Sequence, residues 1–354
     1  MGDTARFPAA EPESREPILT VDGLRTHIHT GGETIRAVDG VSFAVDRGET
    51  VCLVGESGCG KSVTCESLTG LIPQPPAEIV DGSVTFDGEE LTGDPARARK
   101  LRGDRIGHVF QNPQHTLDPV YTIGEQIQEV LAIHDAGDVD PQARATNLLR
   151  QVGIPQASRR LDDYPHEFSG GMRQRAAIAI ALAADPSLLI ADEPTTAVDV
   201  TVQARLLELL GDLTDGGMAM LLVTHDLRVV AALADRVLVM YGGTIVERGP
   251  VEAIFDCPAH PYTQALFDSY DGLSERFQER TRTIPSDGCR FRDECQHATD
   301  GCETSEQPAF APVRDDQRHA VSCVYYDDET VEDPSRILRD ARRARPRAEV
   351  ENDD

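Results

Sequence analysis

An eight-residue glycine-rich stretch, Gly55–Ser62 (GESGCGKS), has the composition and spacing of a phosphate-binding loop. It follows an apolar run and precedes a helical pattern, the context that such a loop requires. Glycines let successive backbone N–H groups turn towards phosphate oxygens, and the helix adds its positive N-terminal end. Lys61 supplies a point charge for the β- and γ-phosphates, and the hydroxyl of Ser62 is a ligand for Mg²⁺. A chance glycine-rich turn is the weaker interpretation. We assign the nucleotide to Gly55, Glu56, Ser57, Gly58, Cys59, Gly60, Lys61, Ser62 and Val63.

A pair of carboxylates follows a second apolar run, Leu188–Ala191. Asp192 is placed to hold Mg²⁺, directly or through water, and Glu193 to orient or deprotonate the water that attacks the γ-phosphate. An ordinary acidic strand end is the alternative, and it is weakened because both carboxylates follow the run directly and Pro194 comes next.

A second candidate phosphate-binding helix start lies at Phe168–Gln174 (FSGGMRQ). Ser169 and the N–H groups of Gly170 and Gly171 open an alanine-rich helix there. No internal repeat accompanies it, so the chain has one nucleotide-binding module but two such helix starts.

This second stretch resembles the signature motif of ABC ATPases, usually LSGGQ, which closes on the ATP held by the opposite subunit. Met172 stands where that motif has glutamine, so the side-chain amide is missing, although the backbone N–H donors remain. Gln111 resembles the Q-loop glutamine, implied to contact Mg²⁺ and to face the membrane subunit. Asp199 resembles the D-loop aspartate at the dimer seam, and His225 the switch histidine that contacts the γ-phosphate. The resemblance implies an enzyme that hydrolyses ATP with Mg²⁺.

The adenine site departs from the family pattern. ABC ATPases usually place an aromatic side chain there, whereas the corresponding residue is Ile28, between His27 and His29. Ile28 offers apolar contact and a neighbouring histidine offers a ring.

Three further stretches resemble the oligopeptide/dipeptide/nickel importers: Phe110–Gln126, Tyr164–Arg175 and His260–Leu266. Gly55–Val63 and Ile79–Gly82 resemble the first, D-type, ATPase of that pair. The resemblance implies peptide import, with nickel or another small solute such as a sugar as alternatives. It also implies a second ATPase subunit (heterodimer or homodimer), two membrane permease subunits and an extracytoplasmic substrate-binding protein. The chain is then expected on the cytoplasmic face of the membrane.

Four cysteines lie near the C-terminal end: Cys289, Cys295, Cys302 and Cys323. Five, six and twenty residues separate them, so their thiolates can reach one centre after folding. In the resembled family this pattern implies a [4Fe–4S] cluster. Tetrahedral Zn²⁺ is the competitor, disfavoured by the absence of a C-x-x-C pair, and uncommitted thiols are the third reading.

The pattern of apolar runs predicts an α/β fold with a mostly parallel sheet, an antiparallel portion and a helical subdomain at about 112–185. We expect a disordered leader over 1–17, an ATPase domain over 18–257, a cysteine-rich extension over 258–326 and a charged, disordered tail over 327–354.

The charge of the chain is −27, and Lys61 and Lys100 are the two lysines. Such acidity disfavours DNA, RNA and anionic lipid as partners. The acidity together with the near-absence of lysine favours adaptation to a very salty cytoplasm. A merely acidic cytosolic protein is the alternative. No stretch reaches the roughly 18 apolar residues of a membrane span. A soluble ABC ATPase acting on DNA or ribosomes, or an exporter, is less favoured, because a second module, basic patches and fused membrane helices are not found in the sequence.

Overall fold

The computed structural model describes residues 16–111, 116–134, 140–195, 200–270, 284–314 and 316–327. Nearly all of the expected leader (1–17) and tail (327–354) lies outside these ranges. Asp199, the expected D-loop residue, also lies outside them.

Strands in the described residues form two sheets. The smaller sheet has the order β2-β1-β4-β5 and the larger the order β11-β12-β10-β9-β3-β8-β7-β6. The strands are β1 (Pro17–Thr30), β2 (Glu33–Asp46), β3 (Thr50–Val54), β4 (Ala77–Phe86), β5 (Glu89–Glu90), β6 (Ile106–Val109), β7 (Leu188–Asp192), β8 (Ala219–Val223), β9 (Arg236–Tyr241), β10 (Thr244–Pro250), β11 (Phe310–Val313) and β12 (Asp316–Ser322).

The helices pack around these sheets. They are α1 (Lys61–Leu68), α2 (Pro95–Leu101), α3 (Ile123–Ile133), α4 (Pro141–Gln151), α5 (Ala157–Arg160), α6 (Gly170–Ala181), α7 (Val200–Asp215), α8 (Leu227–Leu233), α9 (Val251–Asp256), α10 (Pro261–Tyr270) and α11 (Val324–Asp327), with 3₁₀ turns at Pro165–Glu167 and Asp300–Glu303. Among the described helices none is long and apolar enough to cross a membrane.

The larger sheet has a parallel half and an antiparallel half. Strand β3 pairs in parallel with β8 and β9, and β7 pairs in parallel with β6 and β8. Strands β9, β10, β12 and β11 continue the sheet with antiparallel pairing. Every residue of β3, β7 and β8 is buried, as expected of parallel strands covered on both faces. The expected α/β fold with a mixed sheet is confirmed.

Alternate residues of the parallel strands enter two separate apolar cores. Leu53 of β3 packs with the antiparallel sheet and α1, whereas Cys52 and Val54 pack with the helices of the opposite layer. This alternation follows from the two-residue period of a strand. It makes the parallel strands the middle layer, so that their ends are held rigidly.

The first strand is longer than its apolar alternation, which covers Ile18–Leu24. It continues to Thr30 because it is paired on both sides, with β2 and β4. Helix α6 begins at Gly170, within the helix start indicated by the sequence, because the hydroxyl of Ser169 accepts the N–H of Met172 and caps the helix there.

The C-terminal extension, expected over 258–326, has weak sequence periodicity. Its strand β12 pairs with β10 of the main sheet. The buried carboxylate of Glu247 accepts the N–H groups of Ala259 (2.7 Å) and His260 (2.8 Å), and it lies 2.8 Å from Nε2 of His319. Three such partners compensate the cost of burying this carboxylate. Glu247 therefore links the extension to the main sheet.

Candidate active site

The carboxyl ends of four parallel strands meet at one edge of the larger sheet. Gly55 follows β3, Gln111 lies two residues past β6, Asp192 ends β7 and His225 lies two residues past β8. Ligands of open α/β sheets bind in the crevice outside the carboxyl ends of the strands. The topology therefore brings together residues that are far apart in sequence.

Two glycines of the loop Gly55–Ser62 are required by close backbone contacts. A Cβ added at Gly60 would lie 2.2 Å from the carbonyl oxygen of Ala37, and Gly60 has a φ of +109°. A Cβ added at Gly55 would lie 2.2 Å from the carbonyl oxygen of Met240. Side chains cannot be accommodated at either position, which explains part of the glycine spacing.

Lys61 is buried and stabilises the curve of the loop. Its Nζ donates to the carbonyl oxygens of Gly55 (2.9 Å) and Glu56 (2.6 Å). Its third donor contacts Sγ of Cys59 at 3.7 Å, a weak acceptor that a phosphate oxygen can replace. Helix α1 starts at Lys61 without a side-chain cap, which leaves its first N–H groups for an anion.

Ser62 and Asp192 form a pair with the chemistry of a Mg²⁺ site. Burial raises the pKa of Asp192, while a hydrogen bond from the Ser62 side chain lowers it and the charge of Glu193 raises it. The Oδ1 atom of Asp192 is buried and has no hydrogen-bond partner among the described residues. An orphaned carboxylate oxygen beside a serine hydroxyl fits a hard cation that takes oxygen ligands.

Glu193 and His225 are in contact. Nδ1 of His225 lies 3.0 Å from Oε1 of Glu193. The Glu193 side chain is 13% exposed and that of His225 is 66% exposed. Glu193 adopts the left-handed conformation, with a φ of +50°, and its N–H donates to the carbonyl oxygen of Val223. A non-glycine residue held in this region is strained, as residues of active sites often are.

A cleft of about 720 Å³ extends from these residues along the loop. Its size lies within the roughly 300–1,000 Å³ of typical ligand sites. Lys61, Ser62, Gln111, Glu193 and Ile28 line it, as the sequence predicted. Its walls also contain side chains that no motif indicated, because they approach the loop only in the folded chain: Ile35, Arg36, Ile284, Pro285 and Arg290.

The signature-like stretch is not part of this cleft. Ser169 and Gly170 are exposed, and a Cβ added at Gly170 would meet nothing within 4 Å. Ser169 Oγ accepts the N–H of Met172 at 3.3 Å, so the hydroxyl proton is left for a ligand. This is the geometry expected if Ser169, Gly170, Gly171 and Met172 serve a nucleotide held by another subunit.

Tyr262, which the sequence placed in the extension without a role, contacts the phosphate loop. Its buried hydroxyl accepts the N–H of Glu56 at 2.9 Å. The ring packs 4.6 Å from that of Tyr241 and 5.5 Å from that of Phe291, centroid to centroid. No local sequence pattern reveals this contact, because Glu56 and Tyr262 are 206 residues apart in the sequence.

The four C-terminal cysteines lie in one neighbourhood, with all their thiols free. Burial raises the pKa of Cys289 to about 11, and the N–H of Phe291, which bonds its sulfur, opposes this. Burial, aided by the charges of the other three cysteines, raises the pKa of Cys323 to about 12, although the N–H of Tyr325 bonds its sulfur and opposes this. Within the described ranges, however, no group of three or more His, Cys, Asp or Glu side chains is arranged to hold a metal ion.

Two family models match the chain. Residues 38–196 match the ABC transporter model, and residues 246–302 match that of the oligopeptide/dipeptide transporter C-terminal region. A putative peptide import ATP-binding protein of Brucella abortus is 46% identical over 333 residues, covering 88% of this chain and 98% of that protein. The oligopeptide transport ATP-binding protein AppD of Bacillus subtilis is 44% identical over 326 residues, covering 89% and 98%.

Solved structures agree on the fold. The ATP-binding cassette MJ0796, in a dimeric post-hydrolysis state bound to ADP and Pi, superposes with a TM-score of 0.61 at 28% identity. The match covers 66% of this chain and 98% of that one.

The fold and the site define an ABC-type ATPase, which hydrolyses ATP. More narrowly, the chain belongs to the oligopeptide/dipeptide transporter family of ABC ATP-binding subunits. Membership implies pairing of ATPase subunits and membrane permease partners.

Replacing Glu193 by Gln should abolish turnover and retain ATP. The amide keeps the shape and can still bond His225 but cannot accept a proton, so we expect kcat to fall by about 10²–10⁴-fold while ATP binding persists. Steady-state hydrolysis and nucleotide retention measure this. Glu252→Gln, on the exposed face of α9, is the matched control. A fully active Glu193→Gln protein would remove Glu193 from its assigned role.

Proposed function

We propose that this chain powers the import of di- or oligopeptides by an ABC transporter. The observation that carries the proposal is the meeting of Lys61, Ser62, Asp192, Glu193 and His225 at one sheet edge. The substrate class is supported by the names of the relatives and by the C-terminal region that this chain shares with peptide transporters.

Hydrolysis follows from the position of Glu193. A water beside the γ-phosphate gives a proton to Glu193 as its oxygen bonds to phosphorus, and the bond from that phosphorus to the bridging oxygen breaks, yielding ADP and phosphate. The 3.0 Å contact with Nδ1 of His225 orients the carboxylate. Mg²⁺ bound by Ser62 and Asp192, with Gln111 nearby, would neutralise phosphate charge.

The partners follow from the exposed signature-like stretch, which lies outside the cleft of its own chain. We assign Ser169, Gly170, Gly171 and Met172, with Asp199, to the ATP of a second subunit. This chain takes the D-type position, preferably in a heterodimer. Gln111 and the exposed Val120 and Tyr121 form the surface for two permease subunits, and an extracytoplasmic protein supplies the peptide.

We assign the four C-terminal cysteines to a [4Fe–4S] cluster with a structural role. The N–H groups of Phe291, His297 and Tyr325 bond to the sulfurs of Cys289, Cys295 and Cys323. Such bonds favour thiolates, the form that ligates iron. The absence of a C-x-x-C pair favours this cluster over tetrahedral Zn²⁺.

We also infer that the chain works in a very salty cytoplasm. Its net charge of −27 places strong self-repulsion on the folded state, and the chain has almost no lysine. Salt removes this repulsion by screening.

Transport is tested with this chain, its partner ATPase, the permeases and the binding protein reconstituted in proteoliposomes. We expect ATP-dependent uptake of labelled di- or oligopeptides that Glu193→Gln abolishes and Glu252→Gln does not. Uptake of nickel or a sugar without peptide uptake would assign another substrate. ATPase activity that no permease stimulates would favour a soluble ABC ATPase.

Anaerobically purified protein should contain about four irons per chain with matching sulfide and visible absorbance. Cys289→Ser should lose the iron, and Cys52→Ala, which changes a cysteine of β3, should keep it. Zinc without iron, or neither metal, would contradict the cluster.

Raising KCl from about 0.1 M to about 3 M should raise the thermal unfolding midpoint, because screening shortens the range of repulsion from roughly 10 Å to a few ångström. An uncharged osmolyte at equal osmolarity is the control. A midpoint that rises equally with the osmolyte, or falls with KCl, would contradict adaptation to salt.

A further inference from the structure

One wall of the nucleotide cleft is an isoleucine pair on the hairpin of β1 and β2. Ile28 and Ile35 are directly paired across the two strands, so their side chains lie on the same face. Both line the cleft, and Ile35 is 52% exposed. The exposed apolar surface of Ile35 lies beside the cleft, where a bound ligand can cover it.

A second wall of the cleft comes from the C-terminal extension. Ile284 and Pro285 line the same cleft, and Ile284 is 41% exposed. Ile284 packs on the turn between β9 and β10, since its Cγ2 lies only 2.7 Å from the place that a Cβ on Gly242 would take. That turn is tied to the phosphate loop, because the N–H of Gly243 donates to the carbonyl oxygen of Cys59 at 3.0 Å.

Two arginines hold this second wall in place. The guanidinium of Arg290 is buried, donates to the carbonyl oxygen of Pro285 and pairs with Asp39 of β2. Arg36 of β2 donates to the carbonyl oxygen of Ser286 at 3.2 Å. The segment 284–286 is thus fixed to the hairpin that carries the first wall, so both apolar walls of the cleft are held in place.

We propose that Ile284 and Pro285 of the C-terminal extension bind the adenine base of ATP, facing Ile28 and Ile35. The proposal rests on the proposed function, because it places the triphosphate on the loop Gly55–Ser62, at the other end of the same cleft. The base is flat and apolar on both faces. Aliphatic side chains on two sides bury those faces where a single stacking ring is missing, as it is at Ile28.

The arrangement makes the extension part of the nucleotide site. Base binding draws on the hairpin of β1 and β2 and on the extension, whereas phosphate binding draws on the loop Gly55–Ser62 and the strand-end residues. The two contributions are therefore separable with a ligand that has phosphates but no base.

The test compares binding of ATP and of inorganic tripolyphosphate to the full-length wild type and to Ile284→Ala, by calorimetry. Loss of the aliphatic contact should raise the Kd for ATP about five- to tenfold and leave the Kd for tripolyphosphate unchanged. In hydrolysis, KM should rise with kcat unchanged. Ile133→Ala, which truncates an exposed isoleucine of α3 outside the cleft, is the matched control. Pro285→Gly provides a second variant of the same wall.

Each outcome decides a different point. A Kd for ATP within twofold of wild type in both Ile284→Ala and Pro285→Gly would overturn the adenine assignment. Equal weakening of ATP and tripolyphosphate would also overturn it, because the change would then act through the phosphate loop. Wild-type protein that binds neither ligand would instead refute the proposed function.

Discussion

A strongly acidic chain has to hold a polyanion, and the rest of the structure is arranged around this constraint. With a net charge of −27, the average field of the molecule repels a triphosphate. Attraction must therefore be local. It comes from the buried Lys61 ammonium, the uncapped start of α1 and the N–H groups of the curled loop, all within one short stretch. Lysine is nearly absent elsewhere, and here its compact charge fits between loop carbonyls where a planar guanidinium would not.

The parallel strands hold the candidate catalytic residues at their carboxyl ends. They are buried on both faces, so their ends cannot shift without disturbing two cores. That rigidity allows Glu193 to be held in a strained conformation against His225. It also allows the carboxylate of Asp192 to remain buried with an oxygen unpartnered among the described residues. Both features cost stability in the free protein and become useful only when nucleotide and Mg²⁺ are bound.

The C-terminal extension takes part in this site through contacts of three kinds. Tyr262 accepts a loop N–H, Glu247 fastens the chain entering α10, and Arg290 ties the segment before the cysteines to β2. Aromatic packing of Tyr241, Tyr262 and Phe291 fills the space between the loop and the cysteine region. Phe291 lies two residues from Cys289 and packs on Tyr262, which bonds the phosphate loop. The cysteine region and the phosphate loop therefore contact the same aromatic cluster.

The sequence by itself identified the candidate residues for phosphate binding and hydrolysis, because loop glycines, a lysine, strand-end carboxylates and a helix start each form a local pattern. Apolar runs likewise identified the buried strands, and the structure agrees with them. Only the tertiary structure decided that Ile284 and Ile28 line one cleft, that Tyr262 contacts Glu56, and that β12 extends the main sheet. These contacts join residues with no shared periodicity. Their energy comes from burial and pairing that exist only once the chain has folded.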